Sequence, residues 1–313
     1  MSTLLHAALL FGTLLWVPIG IAAQNVLDSR HAQVVAWWKP GDMRSWDVQR
    51  VKTGRKEGTS TYRITFKVLD ETDSLYVVEA RYSNLKVDTK LPTDAREREL
   101  AKRVLNASDG MRVLFTTDDT GSPLALLNEE EVTEHVRGVL EPLLANAPDP
   151  EARARMAQAF QTMLNSQVLI NSAMEEVNHL LYPFGVRYEL GAVERHDTEI
   201  ESPFGEVPIP VKQEFSMTKL DAKGQKASME LTQRIDPSQL DTMLDELMQA
   251  MTGEQMSASD RAEMRELFAA MTVDDTMRFE VDLKGAWVTH ATVDRVVEVA
   301  GVRQTDKRTY RMR

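Results

Sequence analysis

The chain contains no cysteine in 313 residues. Disulfides, thiol nucleophiles and thiolate-rich metal sites are therefore excluded, and an exported form has to be held together by its core alone. Positive charge is in deficit as well: 37 Lys and Arg stand against 48 Asp and Glu, a net charge of −11. An acidic chain is repelled by nucleic acid and by anionic membrane surfaces, so neither is an expected partner. No Walker A loop, no GxGxxG opening a helix, no GxSxG elbow and no HExxH occur. The usual signals for nucleotide cofactors, serine hydrolases and zinc peptidases are thus missing, and no cofactor is expected.

Only the start of the chain carries a long apolar run. Residues 4–21 hold no charge, are broken by His6, Gly12, Thr13, Pro18 and Gly20, and end in Ala22 and Ala23. An apolar core of this length with breakers and a small-residue site predicts a secretory signal peptide over residues 1–23, cut near Ala22 or Ala23. The first three residues carry no Lys or Arg, which keeps a second reading open, an uncleaved anchor near the ~20 residues needed to span a bilayer. With cleavage, residues 24–313 form one periplasmic or secreted α+β domain of roughly 290 residues. No later segment is apolar enough to span a membrane, so no stable membrane insertion is expected after cleavage.

Alternation with period two recurs along this domain. Tyr62, Ile64, Phe66 and Val68 alternate with polar residues, Asp70 to Asp73 turn, and Tyr76, Val78, Ala80 and Tyr82 return. Val207, Ile209, Val211, Phe215 and Met217 are answered across Asp221-Ala222-Lys223-Gly224 by Ala227, Met229, Leu231 and Ile235. Met277, Phe279, Val281 and Leu283 are answered across Lys284-Gly285 by Trp287, Thr289, Ala291 and Val293. Short turns make such strands antiparallel, and one-sided alternation means that one face is buried.

Helical stripes interrupt the strands. Asn128 with Glu131 resembles a capping box, followed by Val132, Val136, Val139, Leu140 and Leu143. Further stripes run over Met156 to Leu164 and through Ile170, Ala173, Met174, Val177 and Leu181. Asp236-Pro237 opens another, with Leu240, Met243, Leu244, Leu247, Met248 and Met251, and a shorter one carries Met264, Leu267, Phe268 and Met271. The fold predicted is α+β, a long, curved, half-barrel-like antiparallel sheet with amphipathic helices packed on one side.

Asp119-Thr120-Gly121-Ser122 resembles the catalytic loop of pepsin-like and retroviral-type aspartic proteases. That resemblance would make Asp119 an acid sharing a proton with a second carboxylate. The plainer reading is a turn between a strand at Met111 to Phe115 and its return at Leu124 to Leu127. The six histidines form no ligand pair at i, i+2 or i, i+4; His135 reads as a core histidine and His196 as a loop or strand-edge residue. The methionines of the later helical block sit at core spacing. They fill an irregular core or line a pliable apolar cavity, and exported thioethers also raise copper(I). For the cavity, the candidate ligand-binding residues are Met243, Met248, Met251, Phe268 and Met271. Trp37 and Trp38 are adjacent, so one points to the core and the other to a surface, and Trp37, Trp38, Trp46 and Trp287 are candidates for stacking on carbohydrate.

The Trp46 opening, the long hairpins, the Met111 to Leu127 hairpin before a helix and the aromatic strand near the C-terminus resemble uncharacterised secreted β-rich proteins of bacteria. Curved sheets backed by helices are also similar in architecture to LolA-like periplasmic lipoprotein carriers, whose concave face holds acyl chains. The alternating strands together with the Met-rich amphipathic helices point to an exported, non-enzymatic binding or scaffold protein, with an apolar small molecule or lipid against the sheet. The alternatives are a hydrolase whose site is dispersed in sequence, with Asp119 as its acid, and a purely structural envelope protein.

Overall fold

A computed structural model describes residues 25–54, 57–89, 102, 108–145, 149–151, 153, 154, 157, 164, 166–200, 209–235, 272–299 and 301–313. Its dominant element is one antiparallel sheet of 11 strands. On one side lie β2 (Met43–Thr53), β3 (Gly58–Glu71), β4 (Leu75–Asp88), β5 (Arg112–Asp118) and β6 (Pro123–Leu126). On the other lie β8 (Val193–Ile200), β9 (Ile209–Asp221), β10 (Lys226–Ile235), β11 (Thr272–Asp282), β12 (Trp287–Val299) and β13 (Val302–Met312). Each set is a meander, and the two are joined in the middle by β2 against β13, giving the order β6-β5-β4-β3-β2-β13-β12-β11-β10-β9-β8. A separate two-stranded ribbon pairs β1 (His31–Gln33) with β7 (Arg187–Glu189).

The three predicted hairpins are all present, because their alternation survives into burial. Ile64, Phe66 and Val68 on β3, Val78 and Ala80 on β4, and Met277, Phe279 and Val281 on β11 are buried. The β9–β10 and β11–β12 hairpins share one turn chemistry. Asp221 Oδ1 accepts from Gly224 N and Asp282 Oδ1 from Lys284 N, and the residue after each glycine takes a positive φ, Gln225 at 51° and Ala286 at 49°.

Two helices are present among the described residues, α1 (Glu129–Ala145) and α2 (Ser166–Leu181). Asn128 precedes α1 as predicted. Its side chain ties the helix to β5 by accepting from Leu114 N and donating to Arg112 O and Glu131 Oε2. On α2 the predicted stripe is the packed one: Ala173, Met174, Val177 and Leu181 are all buried. The other predicted helical stripes fall mainly or wholly outside the described residues.

The sheet is strongly curved around its buried face. Strands β4 and β12 are four steps apart, about 19 Å if the sheet were flat. Yet Trp38 touches both, with ring centroids 5.3 Å from Tyr76 and 4.5 Å from Trp287. Farther out, Ser122 Oγ in the β5–β6 turn donates to Phe184 O, while Tyr182 and Tyr188 stack on Phe215 of β9. The segment after α2 therefore clasps the two arms across the concave side.

Candidate functional site

The inward faces of the strands divide into two zones, and the strand register gives their composition. The first zone is apolar. One row across the sheet is Met217, Met229, Phe279, Ala291, Tyr310, Val48 and Tyr62. Beside it, Trp46 meets Phe66 edge-on at 5.0 Å and leans on Trp287 at 5.9 Å. The indole N–H groups of Trp38 and Trp46 donate to Ala286 O and Val288 O, so both rings bury their area without an orphaned donor. Trp37 is 40% exposed and Trp38 fully buried, the split that adjacency on an extended chain requires. Trp38, Trp46 and Trp287 are thus core residues, which corrects their candidacy for carbohydrate stacking.

The second zone is polar. A single row runs Gln213, Gln233, Asp275, Arg295, Asp306 and Lys52, each the direct register partner of the next across six strands. Gln213 Nε2 donates to Gln233 Oε1 at 2.7 Å, and Arg295 forks onto both Asp275 oxygens at 2.8 and 2.7 Å. Arg50, from the neighbouring row, takes Asp306 through Nε at 2.9 and 3.0 Å and also through Nη2.

Helix α2 lies over this zone and adds the opposite charges. Arg308 of β13 is only 4% exposed in its side chain and donates to Glu175 at 2.6 Å and Glu176 at 3.2 Å. Tyr62 of β3 donates its hydroxyl to the same Glu176, and Tyr182 donates to Gln213. Burial pushes the Glu175 carboxyl up, but the charge and hydrogen bond of Arg308, with Arg50 behind it, together hold it at about 2. Burial dominates at Glu176 and raises it. His179 sits against Tyr310 with Nδ1 2.9 Å from the hydroxyl, and burial, then the Arg308 charge, lower it to about 3. Its imidazole is neutral at ordinary pH.

Where the polar row reaches β2 the packing opens into a groove of about 870 Å³, within the size range of small-molecule sites. Its lining comes mainly from β2, β3, β4 and the middle of α2. Tyr82, Leu85, Val87 and Met111 give it an apolar wall, and Arg50, Lys52, Ser60, Tyr62, Glu175 and Glu176 a polar one. Asn84 supplies the geometry of the apolar wall. It adopts φ 60°, and the β3–β4 register shifts between Thr61 and Arg63, so the inward parity of β4 passes from Tyr82 to Leu85 and Val87.

Of the residues singled out from sequence, Met243, Met248, Met251, Phe268 and Met271 lie outside the described residues. Asp119 is exposed at the β5–β6 turn, and the hydrogen bonds of its motif are those of a turn. Asp118 Oδ1 accepts from Thr120 N, Thr120 Oγ1 and Ser122 N, and Gly121 takes φ 95° against Phe184 and Ala36. His196 lies exposed on the edge strand β8. Among the described residues no three His, Asp or Glu side chains come together as metal ligands, and no helix is long and apolar enough to cross a membrane.

The groove residues were reachable from sequence by one signal. Arg50 and Lys52 continue the inward parity of Trp46 and Val48, and Glu176 falls on the apolar stripe of α2 beside Val177. Charges on an otherwise buried parity mark either ion pairs or a ligand.

No family model matches the chain, and no curated protein matches it. Among solved structures it is similar to one concerned with lipid–protein interactions in lipovitellin, with a TM-score of 0.43 and 8% identity over 88% of this chain and 25% of that one. The chain thus spans a quarter of the length of that neighbour. A second, far more remote neighbour is the dehydratase domain from the CurJ module of the curacin polyketide synthase, with a TM-score of 0.09 and 7% identity over 88% of this chain and 77% of that one.

Proposed function

We propose that this protein is an exported, non-enzymatic binding protein that holds an apolar or amphiphilic small molecule against its curved sheet. The observation that carries this reading is the groove between β2, β3, β4 and α2. It is of ligand size, and one wall of it is built from Tyr82, Leu85, Val87 and Met111. A purely structural role would fill this space by packing, as the tryptophan cluster does at the other end of the same strands. Asp119, the acid of the hydrolase alternative, lies exposed on the β5–β6 turn, and the hydrogen bonds of that turn are made by Asp118 beside it.

Export is proposed on the charge-free run at residues 4–21 and the small residues after it. N-terminal sequencing of protein recovered outside the cytoplasm should begin at Ala23 or Gln24, and a start at Met1 would favour an anchor instead. Binding is tested by native mass spectrometry of the purified chain and by titration with a neutral single-chain probe, dodecanol. The reading predicts saturable binding at one site. Absence of both a co-purified small molecule and dodecanol binding would remove it.

A further inference from the structure

We infer that the groove selects a single-chain anionic amphiphile, with its head group at Lys52 and its chain along Leu85, Val87 and Tyr82. This rests on the binding role proposed above and adds the chemistry of the ligand. The polar row ends unevenly. Its charges are matched in pairs up to its end, Arg295 with Asp275 and Arg50 with Asp306. Lys52 is the last member and the odd one out. Its register partner on β13 is Asp306, but Arg50 already occupies that carboxylate, and Arg308 Nη2 lies 3.6 Å from it as well. Lys52 Nζ keeps only a long ion pair to it, at 3.8 Å and beyond hydrogen-bond distance.

On its other side Lys52 has no side chain opposite it at all, because its register partner on β3 is Gly58. A Cβ built at Gly58 would stand 3.0 Å from Thr89 Cβ, so no larger residue fits there without a shift. The ammonium is therefore held at the edge of a polar network, half exposed, and it lines the groove. Burial, then the neighbouring Arg50, lower its pKa, and the more distant Asp306 and Glu175 charges only partly oppose them.

Among the described residues the carboxylates around the groove are engaged elsewhere, and Asp306 and Glu175 act on Lys52 only at longer range. Glu175 and Glu176 are engaged by Arg308, and Tyr62 adds its hydroxyl to Glu176. Glu57, exposed on the rim next to Gly58, makes no ion pair with Lys52 among the described residues. An anion entering from the groove would complete the three Lys52 donors, and the apolar wall would take the chain behind it.

The test compares dodecanoate, dodecyl phosphate, dodecanol and dodecyltrimethylammonium on the full chain and on Lys52→Met and Lys52→Arg, with thermal melting to confirm that both variants are folded. Both anions should bind the wild type about two- to fivefold more tightly than dodecanol, as a half-exposed ion pair allows. Lys52→Met should erase that preference, so that on this variant the anions bind no more tightly than dodecanol, and Lys52→Arg should keep it. The stronger of the two anions then assigns the head group to a carboxylate or to a phosphate ester, and either supports the proposal. Equal binding of dodecanol and the anions, tighter binding of the cation, or an anion preference that survives Lys52→Met would each overturn it. Failure of every amphiphile to bind, dodecanol included, would instead remove the binding role itself.

Discussion

The two zones of the concave face are built on the same strands, their rows four residues apart, and they solve the problem of burial differently. The Trp38, Trp46 and Trp287 zone buries apolar area and satisfies its two bonded indole N–H groups on backbone carbonyls. The Arg308, Glu175 and Glu176 zone buries charge, which is tolerable only while each charge keeps its partner. The difference teaches where the molecule is committed to packing and where it keeps polar groups and open space. The groove lies on the charged side.

Acid should separate the zones most sharply. The folded-state pKa of His179 is depressed to about 3, so its contribution is fully present above the unfolded value near 6.5 and is lost as pH falls towards 3. Glu175, depressed to about 2, adds a second loss below the ordinary glutamate value. Glu176, raised by burial, works in the opposite sense and offsets part of it. The His179 loss alone amounts to roughly 5 kcal/mol when complete. Urea melts from pH 7 to pH 3 should show it, and His179→Gln should flatten the limb between about pH 6.5 and 3.

Single truncations should cost similar amounts in the two zones, and their rescue should differ. Trp38→Ala should lose about 3–5 kcal/mol through the cavity it leaves. Arg308→Met should lose about 3–5 kcal/mol by stranding two carboxylates. Replacing Arg308, Glu175 and Glu176 together by Met, Leu and Leu should recover most of the second loss, because the desolvation cost disappears with the charges. No hydrophobic substitution elsewhere should rescue the first. Equilibrium unfolding of the four proteins checks the contrast, and a triple variant no more stable than Arg308→Met would break it.

The clasp that holds the arms together gives a smaller effect. At Gly121, φ is 95° and an added Cβ would lie 2.7 Å from Phe184 Cδ1 and 2.8 Å from Ala36 Cβ. Gly121→Ala should therefore destabilise by about 2 kcal/mol, read from the thermal midpoint. In the adjoining motif, Asp118→Ala should cost about 1–2 kcal/mol by releasing three donors. Asp119→Asn should stay within about 0.5 kcal/mol of wild type, the behaviour of an exposed turn residue rather than of a constrained acid.

Much of the architecture was legible in the sequence. The three hairpins, the start of α1, the stripe of α2 and the split between Trp37 and Trp38 follow from local periodicity, and local periodicity is what survives folding here. The junction of β2 with β13 had no such signal, since it joins the two ends of the domain. The polar row was hidden for a different reason. Reading alternation as apolar-in and polar-out sends Arg50, Lys52, Asp275, Arg295, Asp306 and Arg308 to solvent, yet each shares the parity of buried neighbours. Only long-range register shows that they answer one another. The candidate methionines were chosen by helical spacing, a pattern that core and cavity share. The groove instead arises from a parity change at Asn84 and a missing side chain at Gly58, neither of which a periodicity can express.

The most direct test of the binding claim is to fill the groove from its apolar wall. Val87→Trp places an indole where the chain of an amphiphile would lie, on a residue that the polar network does not use. The account predicts a melting temperature close to wild type together with loss of dodecanoate binding by about tenfold or more, measured by isothermal titration calorimetry. Undiminished binding to a folded Val87→Trp protein would contradict it and place any ligand elsewhere on the molecule.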